Sequence, residues 1–207
     1  MARLIRGLLF GLLVCISSCH SVDSSIALTN EDYKVYSAYI NSFSFYKNAS
    51  SADTIIITDS TTSISNDIRP NTRWSGVTAM LGERCHYLKD TASCRKVQDP
   101  VWASLFENVK LSSHTKQESL LPVKFTVHYP IQLLSQFRKK PFEQKWDDSL
   151  PYYLFGLSRI AYNADTTKAL FFGSFICGGT CGRGELVLME KMNQTWLLID
   201  TFRFWIY

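Results

Sequence analysis

Residues 158–207 hold three apolar runs separated by turn signals, and no other stretch narrows the possible folds as far. Ser158–Asn163, the turn-like Ala164-Asp165-Thr166-Thr167 and Lys168–Cys177 read as one β-hairpin. Glu185–Met192, a turn at Asn193-Gln194 and Thr195–Ile199 read as a second, whose last strand continues from Phe202 to Tyr207. Strands joined by such short turns pair antiparallel, because parallel neighbours need a long crossover. Ala169-Leu170-Phe171-Phe172 is apolar at every position, which predicts a central strand covered by a helix on one side. Between the hairpins lies a dense cluster, Cys177-Gly178-Gly179-Thr180-Cys181-Gly182-Arg183-Gly184.

Upstream, Thr29 followed three residues later by Asp32 has the layout of a capping box, and Tyr33, Tyr36, Ile40 and Phe43 then recur at helical spacing. That pattern predicts an aromatic helix lying on the sheet. Thr54-Ile55-Ile56-Ile57-Thr58 reads as a short buried strand. Residues 61–97 mix Pro70, Gly76 and Gly82 with Trp74 and Met80 and read as an irregular excursion. Asp99-Pro100 suits a helix start, continued at spacing of four by Val101, Leu105 and Val109. In Val123–Leu134, Phe125, Val127 and Tyr129 alternate with polar residues, a strand pattern that Pro130 ends or bends. Phe142–Asp148 reads as a helical turn closed by Leu150-Pro151. No repeat or low-complexity tract divides the chain, so residues 29–207 are expected to form a single domain.

The first residues address the compartment. Arg3 and Arg6 precede the apolar run Leu8–Ile16, too short to span a bilayer but laid out as a bacterial export signal. Its end, Ile16-Ser17-Ser18-Cys19, resembles the lipobox of bacterial lipoproteins. That resemblance implies removal of residues 1–18 and acylation of Cys19, with residues 19–28 a small polar tether to the fold. Several acyl chains on one residue hold a membrane firmly where one does not. Ser18 departs from the more usual alanine or glycine, and Leu12-Leu13-Val14 gives Cys15 no comparable context. His20 after the lipidated cysteine resembles outer-membrane sorting in some bacteria.

Charge excludes one class of partner. The formal charge is +4, and removing Arg3 and Arg6 leaves 20 basic residues against 18 acids, a mature excess of +2 that predicts no nucleic-acid partner. Arg138-Lys139-Lys140 could touch anionic lipid headgroups if the tether lets it, but so short a run reads better as a solvated loop.

With Cys15 removed and Cys19 acylated, Cys85, Cys94, Cys177 and Cys181 remain, an even set that favours disulfides in an exported protein. Local pairing, Cys177 with Cys181 and Cys85 with Cys94, is the economical reading, although pairing between the two sets would constrain the unfolded chain more. Zinc held by these cysteines and His86 is the rival, and the Cys85 to Cys94 spacing is too wide for a zinc knuckle.

The strand Ser158-Arg159-Ile160-Ala161-Tyr162-Asn163, the strand from Ala169, Cys177-Gly178 with Cys181-Gly182 and Gly184, and Lys191 with Trp196 look like a group of uncharacterised bacterial exported proteins. Asp32-Tyr33, Val35-Tyr36 and the stretch from Ile55 to Thr61 are similar too. The resemblance covers most of the mature chain and implies no activity. At the level of fold, the pattern resembles cystatin-like and nuclear-transport-factor-like α+β proteins, in which a helix packs in a curved, mainly antiparallel sheet; that fold hosts enzymes, binders and scaffolds alike.

No catalytic constellation stands out. Gly178–Gly184 is no phosphate cradle, since a strand rather than a helix follows it and the lysine before Ser or Thr is missing. His86, His114 and His128 are the histidines of the folded region, and no serine sits in a nucleophile elbow. A Cys181 thiol working with His128 has no support beyond residue type. Asp147 and Asp148 beside Trp146, Tyr152 and Tyr153 form the best carboxylate cluster, but adjacent residues of a helix point to different sides and a solvated helix end explains them. The expectation is therefore a single α+β domain on a lipidated Cys19, without metal or cofactor. It is a membrane-anchored binding or structural module of the bacterial envelope with a possible envelope protein partner, and Tyr33, Tyr36, Trp146, Tyr152 and Tyr153 are its candidate binding residues. The alternative is a small envelope hydrolase with a pocket between helix and sheet.

Overall fold

Alternation along β5 (Lys168–Ile176) sets how the molecule packs. Ala169, Phe171 and Phe175 join one buried cluster and Leu170 and Phe172 another, because successive side chains of a strand point to opposite faces. The computed structural model describes residues 27–43, 54–63, 72–79, 97–112, 117–138, 153–177 and 181–206. Among these, the architecture is α+β, with four helices and a mixed, mostly antiparallel sheet of seven strands.

The other strands are β1 (Ile55–Ile57), β2 (Ile131–Leu133), β3 (Tyr153–Leu157), β4 (Ala161–Tyr162), β6 (Gly182–Met192) and β7 (Thr195–Ile206). Their order is β2-β1-β3-β5-β6-β7, with β4 also paired to β5. β1 runs parallel to both β2 and β3, and every other pair is antiparallel. Asn193 and Gln194 carry φ of 49° and 66° between β6 and β7, the left-handed backbone that a tight two-residue turn requires. β7 shifts register twice against β6, and such bulges twist an edge strand away from indiscriminate pairing.

The helices are α1 (Asn30–Asn41), α2 (residues 74–79), α3 (Val101–Ser112) and α4 (Leu134–Arg138). α1 starts where a capping box tells it to: the Thr29 hydroxyl accepts from the Asp32 N–H at 3.2 Å, and the Asp32 carboxylate accepts from the Thr29 N–H at 2.6 Å. Its Val35, Tyr36, Tyr39 and Ile40 share a buried cluster with Phe155, Phe171, Phe175, Val187 and Trp196 of the sheet. α3 fills the opposite face with Trp102, Leu105, Phe106 and Val109 against Leu170, Phe172, Leu186 and Phe202. β5 is thus covered on both sides, not on one as its sequence suggested, and this is why it tolerates no polar alternation. In α3, Leu105 and Val109 are buried as expected, while Val101 is only half-buried and Trp102 and Phe106 widen the inward stripe.

Two expected strands are shorter than their patterns. Ser158 keeps one backbone bond, its N–H to the Phe172 carbonyl at 2.9 Å, but its hydroxyl accepts from the Phe172 N–H at 2.8 Å in place of its own carbonyl, and regular pairing resumes only at Ala161–Tyr162. In Val123–Leu134, a 3-10 turn at Pro122–Lys124 leads into an extended run that bonds to helix side chains instead of a strand. The Thr126 N–H donates to Ser37 Oγ at 2.9 Å and the His128 N–H to Asn41 Oδ1 at 3.3 Å, and pairing begins only at Ile131. Phe125, Val127 and Tyr129 nevertheless pack on the α1 cluster, so the alternation predicted the buried side correctly and the ladder wrongly.

Candidate functional site

Two polar clusters are built into the ends of α1. At its first turn, Glu31 and Asp32 lie where the helix dipole favours negative charge. Glu31 Oε1 accepts from Lys191 Nζ at 2.6 Å and from Trp196 Nε1 at 2.7 Å, and Oε2 accepts from Lys34 Nζ at 3.1 Å. Asp32 Oδ1 accepts from the Tyr162 hydroxyl at 2.8 Å. Lys191 and Trp196 face each other across β6 and β7, so their register delivers both donors to one carboxylate. The group ties the helix start to the sheet.

Burial raises the Glu31 carboxyl, but hydrogen bonds from Lys191, Trp196 and Lys34 outweigh it and lower the group to about 2. Burial, with the Asp32 charge beside it, pushes the Tyr162 phenol up, which keeps it a donor. A carboxyl lowered in the folded state stabilises above its unfolded value near 4.5, and that contribution is lost as the pH falls through the folded value near 2. Glu31→Gln should therefore cost about 2 kcal/mol at pH 6, the order of a charge-assisted hydrogen bond, with the gap to wild type closing between pH 4.5 and 2. Urea denaturation of both proteins across that range measures it; a gap independent of pH would mean the charge of Glu31 is not what matters.

At the other end of α1, Glu185 is wholly buried. Its Oε1 accepts from the Tyr39 hydroxyl at 3.0 Å, and Arg183 Nε lies 3.0 Å from Oε2. That second contact is close enough for an ion pair but not aligned as a hydrogen bond, so Oε2 is left without one among the described residues. Arg183 also lies over the Phe43 ring, 4.7 Å from its centre. Gly173, paired with Glu185, makes room for Tyr39: a Cβ there would stand 2.7 Å from the phenol oxygen. Sequence reasoning missed this cluster. The signal was present as one acid in the apolar run Glu185–Met189, with an arginine two residues earlier on the same strand face.

Tyr33 and Tyr36 lie inside the molecule, 2% and 0% exposed. The Tyr33 hydroxyl accepts from the Leu121 N–H at 3.0 Å, and the Tyr36 hydroxyl donates to the Ser158 carbonyl at 2.7 Å. Burial and the Asp32 charge push the Tyr36 phenol well above its ordinary value. Their rings meet Phe125 and Phe171, so in this packing neither is presented to a ligand. Tyr153 is half-buried and stacked on Phe175 at 5.5 Å. Trp146, Tyr152, Asp147, Asp148, Cys19, Cys85, Cys94, His86 and His114 lie outside the described residues. Cys177 and Cys181 form a disulfide, closing the connection from β5 to β6, so Cys181 offers no thiol in this state. In the chain-entropy account so short a loop contributes about 2 kcal/mol.

Among the described residues, no helix is long and apolar enough to cross a membrane and no group of three or more His, Cys, Asp or Glu is placed to hold a metal ion. No family model, no curated protein and no solved structure matches the chain.

Proposed function

We propose that the protein is a non-catalytic binding or structural lipoprotein of the bacterial envelope, freed of residues 1–18, acylated at Cys19 and held by that anchor in the outer membrane. The likeness of its Ser158–Asn163, Cys177–Gly184 and Lys191–Trp196 stretches to uncharacterised exported proteins belongs to the same reading. We also take α1 over the C-terminal strand pairs as a version of the cystatin-like or nuclear-transport-factor-like arrangement, with parallel pairs added at one edge.

The observation that carries the reading is the use made of the aromatic side chains. Tyr33, Tyr36 and Tyr39 spend both ring and hydroxyl on the protein's own core, while the large apolar side chains that do reach solvent, such as Val123 and Met192, lie on the outside. A surface of that kind meets a partner rather than enclosing a small substrate. Crosslinking and pull-down from native envelopes should recover a reproducible protein partner. Recovery of none, together with turnover of an envelope substrate by the purified protein, would overturn the reading.

One observation favours the hydrolase alternative: the Glu185 carboxylate is buried, with the Tyr39 hydroxyl on one oxygen and Arg183 beside the other, a grouping of residue types that hydrolytic sites also use. If that reading holds, Glu185→Gln abolishes turnover while leaving the far-ultraviolet circular dichroism unchanged.

A further inference from the structure

α1 runs antiparallel to β6, so its first turn meets the last residues of that strand at Lys191. The turn between β4 and β5 reaches the same end, since the Lys191 N–H donates to the Thr167 carbonyl at 2.7 Å. The Cys177–Cys181 connection and the end of β7 lie at the opposite end, about 35 Å away along the 11 residues of β6.

Large apolar side chains are not exposed evenly over this shape. Of the seven among the described residues, five gather near the start of α1 and are between 36% and 90% exposed. Met192 is the last residue of β6, and Leu197 and Leu198 follow the turn near the start of β7. Leu121 and Val123 lie beside the first turns of α1, where the Leu121 N–H bonds Tyr33 and Lys124 Nζ stands 5.3 Å from the Tyr33 ring centre. Leu111, at the far end of α3, and Ile206, near the end of β7, are the other two.

The chain also enters the fold at this end. Leu28 packs on the α1 cluster and Ala27 is exposed, and the eight residue steps back to Cys19 cannot span more than about 28 Å. We infer that the end bearing Leu121, Val123, Met192, Leu197 and Leu198 is a docking surface for a lipid bilayer, with the disulfide end facing away. This rests on the reading of Cys19 as the anchor. Charges of both signs surround the patch, Lys34 and Lys124 with Glu31 and Asp165, so the contact is carried by apolar side chains entering the headgroup layer under a short tether, not by attraction to anionic lipid.

The test places a photocrosslinking amino acid at Met192, Leu197 or Val123, and at Leu111 or Ile206 as controls, in the full chain reconstituted into phosphatidylcholine vesicles. A parallel sample replaces Cys19 with a histidine tag on nickel-chelating lipid, attaching the same point without acylation, and intact mass reports acylation in the first sample. Lipid crosslinking from the first three positions should exceed that from the controls several-fold in both samples. Equal yields from the two ends, or higher yields from Leu111 and Ile206, would overturn the docking surface even where Cys19 is acylated. An acyl-free mass with an end-selective pattern in the tagged sample would remove the anchor of the proposed function while supporting the surface.

Discussion

Phe171→Ala is expected to cost about 4 kcal/mol, the largest loss among the substitutions considered. Phe171 is fully buried at the centre of β5, with ring centres of Tyr36 at 5.5 Å and Tyr39 at 5.3 Å. It is therefore the point at which helix and sheet are pressed together. The lost ring removes transfer energy and leaves a cavity that two tyrosines cannot close, because each hydroxyl is already committed, Tyr36 to Ser158 and Tyr39 to Glu185. Against a total stability of about 5–15 kcal/mol this brings a domain close to unfolding, so Phe171→Leu, which keeps most of the volume, serves as the control at about 1.5 kcal/mol. Urea denaturation measures both. Equal losses for the two variants would mean that Phe171 does not join the layers.

The second large effect concerns charge. Arg183→Ala should destabilise by about 3 kcal/mol, because it strips a cation from a carboxylate that has no access to solvent. Most of that cost is the uncompensated charge of Glu185 rather than the value of the pair itself. Adding Glu185→Gln should accordingly restore much of the stability, since the amide still accepts from Tyr39 and carries no charge to desolvate. A double variant no more stable than Arg183→Ala would place the loss elsewhere, in the packing of the guanidinium on Phe43.

These two sites differ in how far they could be read from the chain. Phe171 was legible in part: the unbroken apolar run between turn signals reads as a central strand with a helix on one side, whereas the second covering layer became visible only in the packing. The ion pair was half legible, as an acid inside an apolar strand, but its meaning depends on Tyr39, which lies 146 residues away and reaches Glu185 only because Gly173 has no side chain. Tyr33 and Tyr36 illustrate the reverse case. Their helical spacing identified a buried face, and a ligand-lining role was an addition that their hydroxyl partners, Leu121 and Ser158, do not favour.

What the sequence by itself determined is local. The capping box at Thr29 and Asp32, the helix beginning beyond Asp99, the β-branched strand at Ile55–Ile57 and the cysteine pair four residues apart all act within a few residues of their own position, so their chemistry can be read where it stands. What the tertiary structure decided is everything that needs two distant segments to meet. Parallel pairing of β1 with β2 and β3, a second helix layer under β5, the diversion of Phe125–Pro130 from strand to helix partner and the gathering of Leu121, Val123, Met192, Leu197 and Leu198 at one end depend on which distant segments pair and pack against one another in space. A period of two or of 3.6 residues tells which side of a segment is buried, and it carries no information about what buries it.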